Sequence, residues 1–381
     1  MVSLVSMKRR LILIGLIITI LICSITVAFI FYQNNNQITT SNTSYALLPP
    51  KGIYALIDWN ADPLEDTWTK SYVDGVVIRT YWKDLNPDKD SYNWNYLDRQ
   101  FIKAAKYGKK VRLMVAPGFY SPDFIIKDSG ITKAIFKVPQ GPYKDSQKPL
   151  PLPWDERYLA LWFNFIDQLS KRYSNNPSFS YISITGPNSH NGEISLPRDK
   201  SDSDTWLSLT GTANTLFQNL ASAWSQTIDH YCTTFTKNHF TLALILRSLP
   251  IQDNAELQNK FMDTLASYGT TKCPATFGIQ TNGLDAKLTE EGDPSPHQWE
   301  LIQNYSGQVL TGFQTRDPNN LYQCPKREAR CEKKKQDIFN QAIITNGLSR
   351  KPNFIEVYES DISDPLLATI LDTAHQNLIS R

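Results

Sequence analysis

Residues Gly75–Ala116 run GVVIRT (75–80), YWKDLNPDKDSYNWN (81–95), YLDRQFIKAAKY (96–107), GKK (108–110) and VRLMVA (111–116). Two continuous apolar runs flank one segment with helical periodicity. Continuous rather than alternating apolarity suits a parallel strand covered on both faces, and a parallel pair needs a crossover helix between its members. The stretch therefore predicts strand, helix, strand.

The same alternation extends in both directions. Further strands are predicted at Ile53–Asp58, Tyr181–Thr185, Thr241–Leu246, Phe277–Gln280, Val309–Phe313 and Phe354–Tyr358. Helical patterns lie between them at Glu156–Tyr173, Asp204–Phe235 and Cys331–Asn346. Eight strands alternating with helices predict an α/β fold, a (β/α)8 TIM barrel spanning 51–381. A doubly wound open sheet is the competing architecture, but no Gly-rich phosphate turn follows any strand. There is no internal repeat and no sign of a second domain.

Ahead of the barrel, Lys8, Arg9 and Arg10 precede an uncharged apolar run from Leu11 to Tyr32. Its length matches a ~30 Å hydrocarbon core at ~1.5 Å per residue. The basic flank predicts a cytoplasmic tail (1–10), an uncleaved transmembrane helix (11–32) and a barrel outside the cytoplasm. A signal peptide would have a shorter apolar core and a small-residue cleavage site. This run ends in Ala28-Phe29-Ile30-Phe31-Tyr32, and Cys23 follows Ile22 rather than a small residue. Residues 33–50, rich in Asn, Ser and Thr, read as a flexible linker. Localisation is therefore expected at the cell membrane, single-pass. Past the linker come Cys232, Cys273, Cys324 and Cys331, an even number that suggests disulfides in an exported domain. Cys324 and Cys331 are near enough to close a short loop, which would leave Cys232 with Cys273.

A net charge of +2 gives no basic footprint for nucleic acid. No Cys or His spacing suggests a metal. Nine Trp, eighteen Tyr and seventeen Phe supply either a large core or flat rings for sugar stacking.

Active sites of such barrels lie at the C-terminal ends of the strands. Read there, the sequence offers Asp58, Trp59 and Asn60; Arg79, Tyr81 and Trp82; Pro117 to Tyr120; Asn188, His190 and Glu193; Arg247; Gln280 and Asn282; Gln314; and Glu356, Tyr358 and Glu359. This polar and aromatic rim suits an oligosaccharide, and the long Phe119–Trp154 loop is expected to shape subsites. Glu359 and Asp361 read as solvent-facing.

Gly75-Val76-Val77-Ile78-Arg79 with Trp82, Leu85 and Pro87 resembles the second strand and loop of β-galactosidase-like glycoside hydrolases. The resemblance continues through Tyr92-Asn93-Trp94, Leu97-Asp98 and Gly108-Lys109-Lys110-Val111, about fifty residues in all. It implies a (β/α)8 glycosidase with carbohydrate as substrate and no cofactor. It also implies an acid/base Glu after an Asn at the end of strand four, and a nucleophilic Glu at the end of strand seven. This chain departs at both places. No Glu follows Asn188 directly, and strand seven ends in Gln314.

Hydrolysis needs two carboxyl groups in opposite protonation states. Glu193 is the candidate general acid, and Glu356, a carboxylate inside the apolar run Phe354–Tyr358, its candidate partner. The alternative for Glu356 is a structural ion pair, with Arg79 as a possible cation. Asp58, Trp59, Arg79, Tyr81, Trp82, Asn188, His190, Gln280, Asn282, Gln314 and Tyr358 are candidate substrate-binding residues. The competing functions are a degenerate barrel that binds glycan without cutting it, and a barrel used for protein contacts.

Overall fold

The computed structural model describes residues 47–139, 141–245, 248–251, 254–286, 296–322 and 330–381, with backbone alone for 330–334. The expected tail and membrane helix (1–32), most of the linker and Arg247 lie outside these residues. Among the described residues, no helix is long and apolar enough to cross a membrane.

The described residues form ten strands: β1 (Gly52–Leu56), β2 (Gly75–Tyr81), β3 (Lys110–Ala116), β4 (Lys133–Lys137), β5 (Gln147–Pro151), β6 (Phe179–Ser183), β7 (His239–Leu244), β8 (Phe277–Leu284), β9 (Leu310–Thr315) and β10 (Phe354–Tyr358). Eight close a barrel in the order β1-β10-β9-β8-β7-β6-β3-β2, and every pairing is parallel. These are the eight strands read from the sequence.

The crossover helices bury one stripe each. In Asn95–Tyr107 the stripe is Leu97, Phe101 and Ala104, spaced for one helical face. That helix ends at Gly108, whose φ of 65° is the left-handed turn that glycine adopts without steric cost. Asp155 starts Glu156–Tyr173 by accepting a hydrogen bond from the Tyr158 backbone N–H. Trp82, Trp162 and Phe165 pack together between barrel and helices, with Trp82 0 % exposed and 5.0 Å from Trp162 by ring centroid.

Three local expectations are corrected. Asp204–Phe235 is two helices, Lys200–Thr210 and Ala213–Thr234, because Gly211 (φ 78°) turns the chain and Thr212 caps the second. The helix expected to reach Asn346 is α-helical only through Asn340, then continues as a π-helix over Gln341–Gly347. The long loop after β3 contains the antiparallel hairpin β4–β5. Pro149 and Pro151 hid its second strand, since proline is tolerated in an edge strand but not in the middle of a sheet. Phe136 pins this hairpin by stacking on Trp206 at 4.3 Å.

Cys232 and Cys273 form a disulfide with Cα atoms 5.9 Å apart. The possible Cys324–Cys331 pairing falls outside the residues whose side chains are described.

Candidate active site

The chain after β6 makes an excursion that decides the site. Ile184 N–H donates to Thr241 O, the chain then leaves the barrel, and Ile194 N–H donates to Ala243 O. Ile194 thus resumes the ladder two residues further along β7, with Glu193 bridged to Ala243. Residues 185–192 are a loop inserted into the end of the fourth barrel strand, and Glu193 is the strand's terminal residue in space. The sequence concealed this because no carboxylate follows Asn188. Asn188 itself is buried and holds the loop together, accepting from Gly186 N–H and donating to Asn191 O.

Glu193 accepts on both oxygens. Asn282 Nδ2 donates to Oε1 at 2.9 Å and Asn191 Nδ2 donates to Oε2 at 2.9 Å.

Glu356 lies deeper. It is 0 % exposed, ion-paired with Arg112 at 3.1 Å, and accepts from Tyr181 OH at 3.0 Å and Gln280 Nε2 at 2.9 Å. Burial drives its carboxyl upward from the ordinary range, while Arg112, Tyr181 and Gln280 pull the other way. A group with no exposed surface has no path to a glycosidic oxygen, so Glu356 does not face Glu193 across an open cleft. Its cation is Arg112 rather than Arg79. Arg79 donates from Nε to Ile57 O and from Nη2 to Asp58 at 3.2 Å. Gln280, also 0 % exposed, belongs to this interior group.

The rim around Glu193 is aromatic and charged. Trp59 stacks on Tyr81 with ring centroids 5.0 Å apart and planes 7° apart; Tyr81 stacks on Tyr120 at 4.1 Å, and Tyr120 on Tyr143 at 5.9 Å. Arg79 lies 5.2 Å from the Trp59 ring and 6.0 Å from the Tyr358 ring. Lys83 donates to Tyr143 OH at 2.7 Å. The Tyr358 hydroxyl is pushed up to about 12 by burial, against the pull of the Arg79 charge and with weaker contributions from Asp317, Glu193 and Asp58.

On its other side Glu193 walls a cavity of about 200 Å³, bounded by Lys137 and Asp145 of the hairpin and by His190, Ser195 and Arg198. His190 is pushed down to about 3 by burial and by the Arg198 charge, so its imidazole is neutral in the folded protein.

Trp82 is a core residue rather than a rim residue, as its packing against Trp162 shows. Gln314 is nearly buried, beside Asn282 and Glu356 in register. Asp361 is buried and paired with Lys335, and Glu359 accepts from Leu64 N–H and Thr67 Oγ1; neither is the solvated loop carboxylate expected. Sequence reading missed Arg112, Tyr181, Tyr143 and Lys137. Arg112 carries the signal that singled out Glu356, a charge inside an apolar strand (Val111-Arg112-Leu113), and the two opposite charges answer each other.

No family model matches the chain, and no curated protein matches it. Among solved structures the chain is similar to xylanase B from Clostridium stercorarium F9, at 12 % identity over 81 % of this chain and 85 % of that one, TM-score 0.48. It is similar also to xylanase 10B from Thermotoga petrophila RKU-1 in complex with xylobiose, at 9 % identity, 81 % and 82 % coverage, TM-score 0.48. A third is the beta-galactosidase from the psychrophilic Marinomonas ef1, at 9 % identity and TM-score 0.49. There the match covers 85 % of this chain but 59 % of the enzyme's length. Barrel closure itself is read from strand pairing.

Proposed function

We propose that the C-terminal mouth of this barrel is a carbohydrate site and that the protein is a glycoside hydrolase acting on oligo- or polysaccharide outside the cytoplasm. The observation that carries the reading is the return of Glu193 to the end of the fourth barrel strand, between Asn282 and Asn191. A carboxylate at that strand end can serve as one member of the pair that cleavage between two sugars demands.

Glu193, which accepts on both oxygens, is proposed as the acid/base carboxylate of the pair. Burial removes Glu356 from contact with substrate. The second carboxylate proposed for the mouth is Asp58, whose side chain is 87 % exposed and pairs with Arg79 at 3.2 Å. Tyr358 keeps its proton at neutral pH and supplies a donor to a sugar oxygen. Trp59, partly exposed over the buried Tyr81, offers a ring, and Asn282 and His190 complete the proposed lining. No cofactor enters the reaction.

A second reading is binding without cleavage. It is favoured by Gln314, an amide where the resemblance calls for the nucleophile, and by the sealing of Glu356. Turnover of aryl glycosides by the domain from Leu47 onward, measured beside Glu193→Gln and Asp58→Asn, separates the two. Hydrolysis lost in both variants supports the hydrolase; no turnover with glycan binding intact supports the binding barrel.

Residues 11–32 are proposed as the anchor, with 1–10 inside and 33–50 as tether. The Cys232–Cys273 disulfide supports an oxidising compartment for the barrel. Protease shaving of intact cells tests it, since the barrel should be released and the tail protected.

A further inference from the structure

We propose that Gln280 and Asn282 are positioning residues that orient Glu193 from inside the barrel, through a one-way chain of hydrogen bonds starting at the Arg112 guanidinium. The inference rests on Glu193 being the substrate-facing carboxylate.

The chain has a fixed direction because its first member can only donate. A guanidinium has no acceptor. Arg112 Nη2 donates to Gln280 Oε1 at 3.3 Å, and Thr241 Oγ1 donates to the same oxygen at 3.3 Å. Gln280 Nε2 faces two acceptors, Glu356 Oε2 at 2.9 Å and Asn282 Oδ1 at 3.0 Å. Turning the Gln280 amide over would set its NH2 against the guanidinium and its oxygen against a carboxylate. The orientation is therefore dictated from both sides. Once Asn282 Oδ1 is engaged by Gln280, Asn282 Nδ2 must point outward, and it donates to Glu193 Oε1 at 2.9 Å. The bland alternative, two buried amides satisfying one another, leaves this alignment unexplained. Of the four linked side chains, Arg112 and Gln280 are buried, Asn282 is half-buried and Glu193 reaches the mouth. The Arg112–Glu356 pair acts through them without touching substrate.

Other charged and titratable groups face Glu193. They are His190 and Arg198 from its own loop, Lys137 and Asp145 from the hairpin, Asp199 and Asp202 at the next helix, and Tyr358 from β10. The bond to Oε1 comes from Asn282, so replacing that donor tests it directly.

Two variants break the chain differently. Asn282→Leu deletes the donor on Oε1. Gln280→Glu keeps its shape but replaces the donating NH2 by oxygen, so Asn282 turns over and presents Oδ1 to Glu193. The full-length protein carrying ¹³C-carboxyl glutamate, with the Glu193 resonance assigned by its loss in Glu193→Gln, is titrated by NMR. Both variants should raise the Glu193 titration midpoint, by about one pH unit for loss of one charge-assisted bond. The acid limb of kcat/KM should move with it. Midpoints within about 0.2 unit of wild type in folded variants would overturn the proposal. Asn282 sits at the rim, so its variant reads out even if Gln280→Glu fails to fold. A titration shift without any turnover would keep the positioning chain and remove the hydrolase reading.

Discussion

Replacing Glu356 by Gln removes a charge from the centre of the barrel while changing almost no volume. Arg112 and Glu356 are each 0 % exposed. The substitution therefore leaves a fully buried guanidinium beside Ser183, Gln280, the Tyr181 ring and the new amide. Removing one partner of a buried ion pair costs about 3–5 kcal/mol, because the remaining charge keeps its desolvation penalty and loses its compensation. The unit Leu47–Arg381 contains 335 residues. At about 2.1 cal/mol/K per residue its unfolding entropy is near 0.7 kcal/mol/K, so Tm should fall by about 4–7 °C. Circular dichroism on wild type and Glu356→Gln measures this. The double variant Arg112→Met with Glu356→Leu should recover at least half of the loss, since an apolar pair of similar volume has no charge to compensate. A drop under about 1 °C in the single variant would refute the claim that Glu356 exists to balance Arg112.

Acid sensitivity should come from buried histidines. His190 is pushed down to about 3 and His239 to about 4, both mainly by burial, so the unfolded chain binds protons that the folded one does not. Their stabilising contribution is complete above the unfolded value near 6.5 and is lost as pH falls from there. At pH 5 each costs about 2 kcal/mol, and urea titrations of His190→Gln and His239→Gln between pH 7 and 5 should show a correspondingly flatter decline. The Cys232–Cys273 bond spans 41 residues, and the chain-entropy relation gives about 4 kcal/mol for a loop of that size. Cys232→Ser should accordingly melt about 5–6 °C lower; an unchanged Tm would mean the bond constrains nothing in the unfolded chain.

Strand positions were legible because parallel barrel strands are buried on both faces, and Val76, Val77 and Ile78 show this as an unbroken apolar run. Helix ends were less so. Gly211 splits one helical pattern by a left-handed turn, and no hydrophobic count registers a backbone dihedral. The site was half legible. Glu193 stood out as a loop carboxylate beside His190, but its return to the barrel depends on hydrogen bonds to β7 that no local pattern encodes. Glu356 was noticed as a charge in an apolar strand, and Arg112, the same anomaly with opposite sign, explains it. The distance between those residues in sequence exceeds anything periodicity can connect. Trp82 was assigned to the rim from its position just after a strand. Its indole turns into the core because the short helix Trp82–Leu85 starts there and directs it toward Trp162.

The most direct test is turnover of an aryl glycoside panel by wild type and Glu193→Gln, with thermal stability measured on both. The account predicts hydrolysis by wild type and a fall of about 10² or more in kcat/KM for Glu193→Gln, the scale of a positioned acid or base, at a Tm close to that of wild type. Turnover unaffected by the substitution, or absent from wild type while glycan binding persists, would contradict it.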